Sequence, residues 1–202
     1  MSTFNTNDLG VYNSNFYLSE FIKKVDAIDS SVINVAIDIQ IQRRFIPTTT
    51  ITQAYQVNFN NPIHNPHAGH KYAISSSSFT YNGFTCYFDD DGNGMLRIYR
   101  IVQGKRVSVI NNAGVVNYAL GSVKIYAAMF SAFSGDSIKV NAVPAEQFVK
   151  SVRNQICQLA DATLNIINSQ TDTSEVFSRS VSSTIQSTVL TETGVVSSTS
   201  TY

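Results

Sequence analysis

The chain has 202 residues, of which only 14% are charged, and 14 basic side chains balance 14 acidic ones. That length supports one real core, a single domain plus a tail. A formal charge of zero makes no field that would recruit nucleic acid or an anionic membrane, so neither is an expected partner. The polar surface falls instead to Ser, Thr, Gln and Asn, the last with 18 copies. Such an uncharged surface repels neighbours weakly and tolerates close packing in an assembly.

The N-terminus, Met-Ser-Thr-Phe-Asn-Thr-Asn-Asp, has neither a basic n-region nor an apolar h-region, so no signal peptide is expected. No apolar run approaches the roughly 20 residues that span a bilayer, and no membrane insertion is expected. Two cysteines, Cys86 and Cys157, are too few for a disulfide framework and read as buried free thiols, which implies a soluble protein made in a reducing compartment.

In chain order, residues 1–15 are polar and turn-rich and read as an N-terminal arm. Leu18, Phe21, Ile22, Val25 and Ile28 then recur at helical spacing with Glu20, Lys23, Lys24 and Asp26 facing away, a short amphipathic helix capped by Ser14 or Ser19. From Ser31 the period becomes two. Ile33, Val35, Ile37, Ile39 and Ile41 alternate with polar or small residues, which predicts a strand ended by Arg43, Arg44 and Pro47. Ile51, Tyr55, Val57 and Phe59 predict a second strand, expected to pair with the first. Pro62 and Pro66 exclude residues 60–70 from a central strand.

The organising stretch runs from Phe79 to Tyr126. Aromatic and β-branched runs, Phe79–Phe88 and Met95–Val102, flank the turn sequence Asp89-Asp-Asp-Gly-Asn-Gly, in which Gly92 and Gly94 can take positive φ. Gln103-Gly104-Lys105, Asn111-Asn112-Ala113-Gly114 and Leu120-Gly121-Ser122 punctuate further short runs, Val107–Ile110, Val115–Tyr118 and Val123–Tyr126. Strands joined this tightly predict an antiparallel meander. Ser137–Val143 is another alternating strand. Pro144 then precedes helical spacing over Ala145–Ala160, and Thr163–Ile167 either continues that helix or turns into a strand, the strand being preferred.

In the last 34 residues, 18 are Ser or Thr, with apolar residues scattered singly or in pairs. Such a segment buries little by itself and reads as an arm, one that could add strands to a neighbouring sheet. The expected fold is therefore mixed α+β and β-dominated: an antiparallel, sandwich-like sheet domain with a short N-terminal amphipathic helix and a C-terminal helix. The expected division is 1–15 arm, 16–168 β-rich domain and 169–202 Ser/Thr-rich arm.

Chemistry-bearing patterns are few. Counting Asp89 as position one of a calcium loop puts Asp91, Asn93 and Gly94 where they belong, but position twelve is Arg100 rather than a bidentate Glu, and the flanks are strands. The segment reads as a hairpin turn with its carboxylates in solvent. His64, His67 and His70 share one loop and could ligate a transition metal only if that loop folded back; no fourth ligand is evident, so no metal or other cofactor is expected. There are four glutamates and no pair of them in the meander, no Gly-x-Ser-x-Gly elbow, no Walker loop and no Gly-x-Gly-x-x-Gly after a strand, so no enzyme is expected. Arg43-Arg44 and Lys105-Arg106 read as solvated strand ends. Tyr72, Tyr81, Tyr87, Tyr99, Tyr118 and Tyr126 divide between core packing and a wet sheet face of the kind that protein interfaces and carbohydrate sites use.

Four segments in this order carry a resemblance: Ser78-Phe-Thr-Tyr with Cys86-Tyr-Phe-Asp-Asp-Asp-Gly-Asn-Gly, Gly114-Val-Val-Asn-Tyr-Ala-Leu-Gly-Ser-Val-Lys-Ile, Ser137-Ile-Lys-Val-Asn-Ala-Val-Pro, and Ser151-Val-Arg-Asn-Gln-Ile. Together they resemble the C-terminal region of the large baseplate wedge protein of contractile-tailed (myovirus) phages, over roughly Leu18 to Asn168. Members of that family are usually much longer, so the chain would be a shortened or split relative or a fragment, and its tail from Ser169 is not supplied by the resemblance. The resemblance implies a structural subunit that meets itself, as a dimer or higher oligomer, and other baseplate proteins. It would act without catalysis or cofactor in the virion's tail baseplate, after assembly in the host cytoplasm. Interface candidates are Tyr87, Tyr99 and Tyr118 in the meander, with Arg153, Asn154 and Gln155. The competing reading is a carbohydrate- or receptor-binding domain of a virion or surface protein that uses the sheet tyrosines.

Overall fold

A computed structural model describes residues 15–28, 35, 37–66 and 72–151, together with the backbone of four short strands beyond them. The chain forms two compact units, Asp8–Cys157 and a second made of Met1–Asn7 with Gln158–Tyr202. In the second unit, β13 (Thr163–Leu164) pairs antiparallel with β16 (Thr188–Val189), and β14 (Ile167–Thr171) with β15 (Ser180–Thr184). The preference for strand over helix at Thr163 is met.

The first unit is β-dominated with one described helix. It opens with β1 (Phe16–Tyr17) and α1 (Leu18–Asp26). Of the expected caps, Ser14 lies outside the described residues and Ser19 lies inside the helix; Tyr17 holds the N-cap position in extended backbone without a side-chain bond. Tertiary structure supplies the missing acceptor, since the Leu18 N–H donates to the Gln147 carbonyl at 3.0 Å. Glu20 in the first turn and Lys23 and Lys24 in the last complement the helix dipole. Of the expected apolar stripe only Leu18 is buried, and Ile28 is 77% exposed.

The main sheet has ten strands. Along its path run β2 (Ile41–Phe45), β11 (Ile138–Ala142), β4 (Ile74–Ser76), β6 (Phe84–Asp90), β7 (Met95–Val102), β8 (Lys105–Asn117), β9 (Ser122–Ala128) and β3 (Gln53–Asn58). Off this path, β5 (Phe79–Tyr81) pairs with β6 and with β10 (Ala132–Phe133). Every described pairing is antiparallel. The sheet curls into a nearly closed barrel. Its ends, β2 and β3, meet through side chains: the Phe45 and Tyr55 rings lie 5.0 Å apart, with Phe130 against both. Inside, Phe130 sets its edge against Phe79 and Phe88, which tilt against each other, in one core with Ile74, Leu96 and Ile125, all essentially inaccessible. Each such side chain contributes about 1.5–3 kcal/mol on burial, so this cluster is a large part of what holds the unit together.

Four sequence expectations change. Of the alternating run expected as a strand from Ile33, residues 35 and 37–40 are irregular, residues 33, 34 and 36 lie outside the described residues, and the ladder begins at Ile41, so Arg43 and Arg44 lie inside β2. Alternation reports one wet and one packed face, which an extended segment beside a sheet also has. The first two strands do not pair with each other; β2 pairs with β11 and β3 with β9, because the barrel brings distant segments between them. Asn111-Asn112-Ala113-Gly114 is not a turn. The chain continues through it as one strand, with Leu96 opposite Gly114 but Ile98 opposite Ile110, so the surplus residues form a bulge. Finally, the helix expected from Ala145 begins instead with β12 (Phe148–Val149), paired with β1; residues 152–160 lie outside the described residues. The N-terminal arm, apart from Asn15, also lies outside them.

Two hairpins show local chemistry at work. Asn82-Gly83 (φ 50° and 79°) links β5 to β6, and Gln103-Gly104 (φ 50° and 75°) links β7 to β8. Positive φ at both central residues makes type I′ turns, whose twist matches the flanking strands.

Candidate interaction face

The β6–β7 hairpin sets three consecutive aspartates to three tasks. Strand alternation sends Asp90 into the barrel and Asp89 to the outer face, while Asp91 falls at the turn. Asp91 Oδ1 accepts from the Asn93 and Met95 N–H groups at 2.8 and 2.9 Å, which closes the turn at Gly92–Gly94. Asp90 is fully inaccessible; its Oδ1 accepts from the Ile74 N–H at 2.8 Å and its Oδ2 from the Tyr118 hydroxyl at 2.7 Å. Asp89 is 1% exposed, and accepts from Arg97 Nε at 2.9 Å and Arg106 Nη1 at 3.1 Å. The expectation of solvent-facing carboxylates is therefore wrong for Asp89 and Asp90: opposite charges and tyrosines arriving from other strands make their burial affordable.

Burial pushes the Asp89 carboxyl up, against the hydrogen bonds and charges of Arg97 and Arg106, which pull it down. Burial works against the Arg97 charge too, but the hydrogen bond and charge of Asp89 outweigh it and hold Arg97 above its ordinary value. Tyr118 moves well above the usual phenol range, through burial first and then its bond to Asp90. Burial also pushes up the fully inaccessible Cys86 thiol.

Around Asp89 the outer face carries an aromatic and guanidinium layer. Arg106 lies between two rings, 4.4 Å from the centre of Tyr72 and 4.5 Å from that of Tyr99, and Arg97 sits 5.1 Å from Tyr72. Tyr87 stacks on Tyr99 at 5.6 Å, as their cross-strand pairing dictates. The layer is fixed from below by the carboxylate yet open above: Tyr72 is 40% exposed and the Arg106 side chain 45%. Lys105-Arg106 is thus more than a solvated strand end, since Arg106 is anchored. Rings and guanidinium planes held rigidly at a surface can stack on, and hydrogen-bond to, an incoming group with little entropy left to lose.

Of the tyrosines singled out in the sequence, Tyr87 and Tyr99 belong to this layer, with Tyr99 8% exposed. Tyr118 stands apart, half-buried with its hydroxyl committed to Asp90. Tyr72 and Arg106 are the members that sequence spacing does not bring together: Tyr72 precedes β4, Arg106 follows a hairpin tip, and only the sheet order unites them. Arg153, Asn154 and Gln155 lie outside the described residues. His67 and His70 do as well, while His64 is exposed and its N–H donates to the Val143 carbonyl at 2.9 Å. Among the described residues no three His, Cys, Asp or Glu side chains gather as metal ligands. A shallow groove lined by Asn60, Asn61, Pro62, Glu146, Phe148 and Lys150 is structural in character, because the Asn61 amide bonds the Lys150 N–H and carbonyl at 2.8 and 3.0 Å.

No described helix is long and apolar enough to cross a membrane. A scan against protein-family models finds no match, and a search of curated proteins finds none either.

Proposed function

We propose that the chain is a structural subunit of a phage tail baseplate wedge, joining wedges through contacts with copies of itself and with other baseplate proteins. The observation that carries the reading is the outer face of the barrel, where Tyr72, Tyr99, Arg97 and Arg106 are clamped over a buried Asp89, with Tyr72 and Arg106 left open above. Interfaces favour such Tyr and Arg anchors because they bring large contact area and many donors at low entropic cost. A chain with only 14% charged residues and no net charge suits permanent close packing. Three of the four segments that resemble the baseplate wedge family lie in this same sheet, in β5–β6, β8–β9 and β11. In this reading the chain works without catalysis or cofactor, within the virion.

The test is co-expression with the wedge components of a contractile-tailed phage, followed by affinity isolation and negative-stain imaging. The expected result is entry of the chain into a wedge subassembly, weakened by Arg106→Ala and Tyr72→Ala. A chain that stays outside every subassembly while remaining folded overturns the reading.

One observation favours a second reading, a carbohydrate- or receptor-binding domain. Tyr72 is 40% exposed with guanidinium groups beside it, and sugar rings stack on such platforms. Glycan-array binding by the isolated protein, lost in Tyr72→Ala, supports that reading over the first.

A further inference from the structure

We infer that the outer edge of β8, from Lys105 to Ile110, takes an extended acidic segment of a partner protein as an added β-strand. The inference deepens the assembly reading and rests on it for the partner being a protein.

Three observations meet at this edge. The first is open backbone. β7 pairs with β8 on one side, whereas β9 reaches only Gly114–Asn117 of β8, beyond the bulge. In a hairpin with a two-residue loop the flanking residues, Val102 and Lys105, face each other through their backbone groups, and residues alternate from there to Ser108, before the register shifts by one residue at Val109. Val107 therefore turns toward β7, while Arg106 and Ser108 turn their N–H and C=O groups outward. Among the described residues no strand pairs with that side. Such open donors and acceptors in extended geometry, otherwise met by water, are a template on which another strand can pair.

The second observation is charge. The whole chain is neutral, yet no acidic residue occurs from Gly92 to Gly135, while Arg97, Arg100, Lys105, Arg106 and Lys124 all fall there. Asp89 reaches across to engage Arg97 and Arg106 together, which leaves a cationic excess at the arm. Arg106 offers Asp89 one nitrogen, and its side chain remains 45% exposed with further donors. A second copy would bring the same cations against each other; a segment with carboxylates would not.

The third observation is apolar. Ile101, Val102 and Val107 are 55%, 38% and 40% exposed on the same hairpin. Those side chains flank the charged positions, so a strand that alternates acidic and β-branched residues matches both.

The experiment uses the full chain and a fluorescein-labelled synthetic peptide of alternating Glu, Val and Thr, read by fluorescence anisotropy at low salt. Binding is expected. It should weaken about tenfold, a 1.4 kcal/mol loss, when Lys replaces Glu in the peptide. It should vanish when alternate peptide nitrogens are N-methylated, which blocks strand pairing but leaves the charge. On the protein side Ser108→Pro removes an outward donor without touching the bonds to β7, and Lys105→Glu reverses charge at the tip; each should weaken binding, with circular dichroism confirming that both variants fold. An N-methylated peptide that binds as well as its parent overturns the inference. So does tighter binding of a single-stranded oligonucleotide sensitive to the same variants, which would make the face a nucleic-acid site. So does unaltered binding in both folded variants. A chain that enters wedge subassemblies but ignores the peptide overturns this inference alone; a chain that binds the peptide but enters none overturns the assembly reading alone.

Discussion

Strand β8 passes through two environments. From Gly114 to Asn117 it is a central barrel strand, bonded to β7 and β9, with Val116 buried and Gly114 so close to the Lys124 carbonyl that no side chain fits between. From Lys105 to Ile110 it is half of a projecting arm, bonded only to β7 among the described strands, with most of its side chains exposed. The bulge at Asn111–Ala113 separates the two regimes. In the barrel, each residue is constrained by packing and by buried polar pairing; on the arm, the constraint is the turn and the backbone ladder. The first half makes the fold, and the second is free to meet something else.

That contrast can be broken or sharpened by substitution, with unfolding in urea followed by circular dichroism as the common measurement. Gly121→Ala, beside the barrel half, has the largest expected effect. Gly121 has φ 62°, and an added Cβ would run into the Asn61 carbonyl, so the cost is more than about 3 kcal/mol. Asp90→Ala follows at about 3 kcal/mol, because it leaves the buried Ile74 N–H and the Tyr118 hydroxyl without their acceptor. A loss under about 0.5 kcal/mol there would show that water replaces the carboxylate.

Asp89→Asn sits between the two regions and should cost about 2 kcal/mol, less than a wholly buried pair, since Arg106 keeps much of its hydration. It should also weaken any partner held by the Tyr–Arg layer, which the carboxylate fixes. Tyr118→Phe should cost about 1 kcal/mol at neutral pH and change the alkaline limb. The folded-state value of Tyr118 is raised above the ordinary 10.0, so its stabilisation is full below that value and falls as the pH rises past it. The wild type should therefore lose stability more steeply above about pH 10 than Tyr118→Phe does. Equal slopes would mean the hydroxyl is not held by Asp90.

The smallest effect belongs to the arm tip. Gln103→Asn should stabilise by no more than about 0.5 kcal/mol, because Asn tolerates the φ of 50° better. A large effect of either sign would mean that the arm is packed against something in the isolated protein.

How far the sequence reaches follows the same line. Most of Phe79–Val102 is legible because its determinants are local: β-branched and aromatic alternation, and turn residues whose φ is set within four positions. The run Phe79–Phe88, read as continuous, is however divided by the Asn82-Gly83 turn into β5 and β6. Asn82-Gly83, Gly92 and Gly94 all take the positive φ that their residue types permit. Asn111–Gly114 misleads because the same residues suit a turn or a bulge, and only the register on β7 chooses. The three aspartates mislead because charge in a turn reads as solvent, while Arg97, Arg106 and Tyr118 arrive from elsewhere in the sheet.

The sequence by itself determined the β-dominated class, most of the sheet's strands, the Gln103-Gly104 hairpin and the scarcity of charge, since each depends on side-chain pattern over a few residues. Only the tertiary structure decided the strand order, the closure of β2 on β3 and the burial of Asp89 and Asp90. It alone made the Tyr72–Arg106–Tyr99 layer and left the edge of β8 open. Those depend on contacts between residues far apart in the chain, which no local pattern encodes.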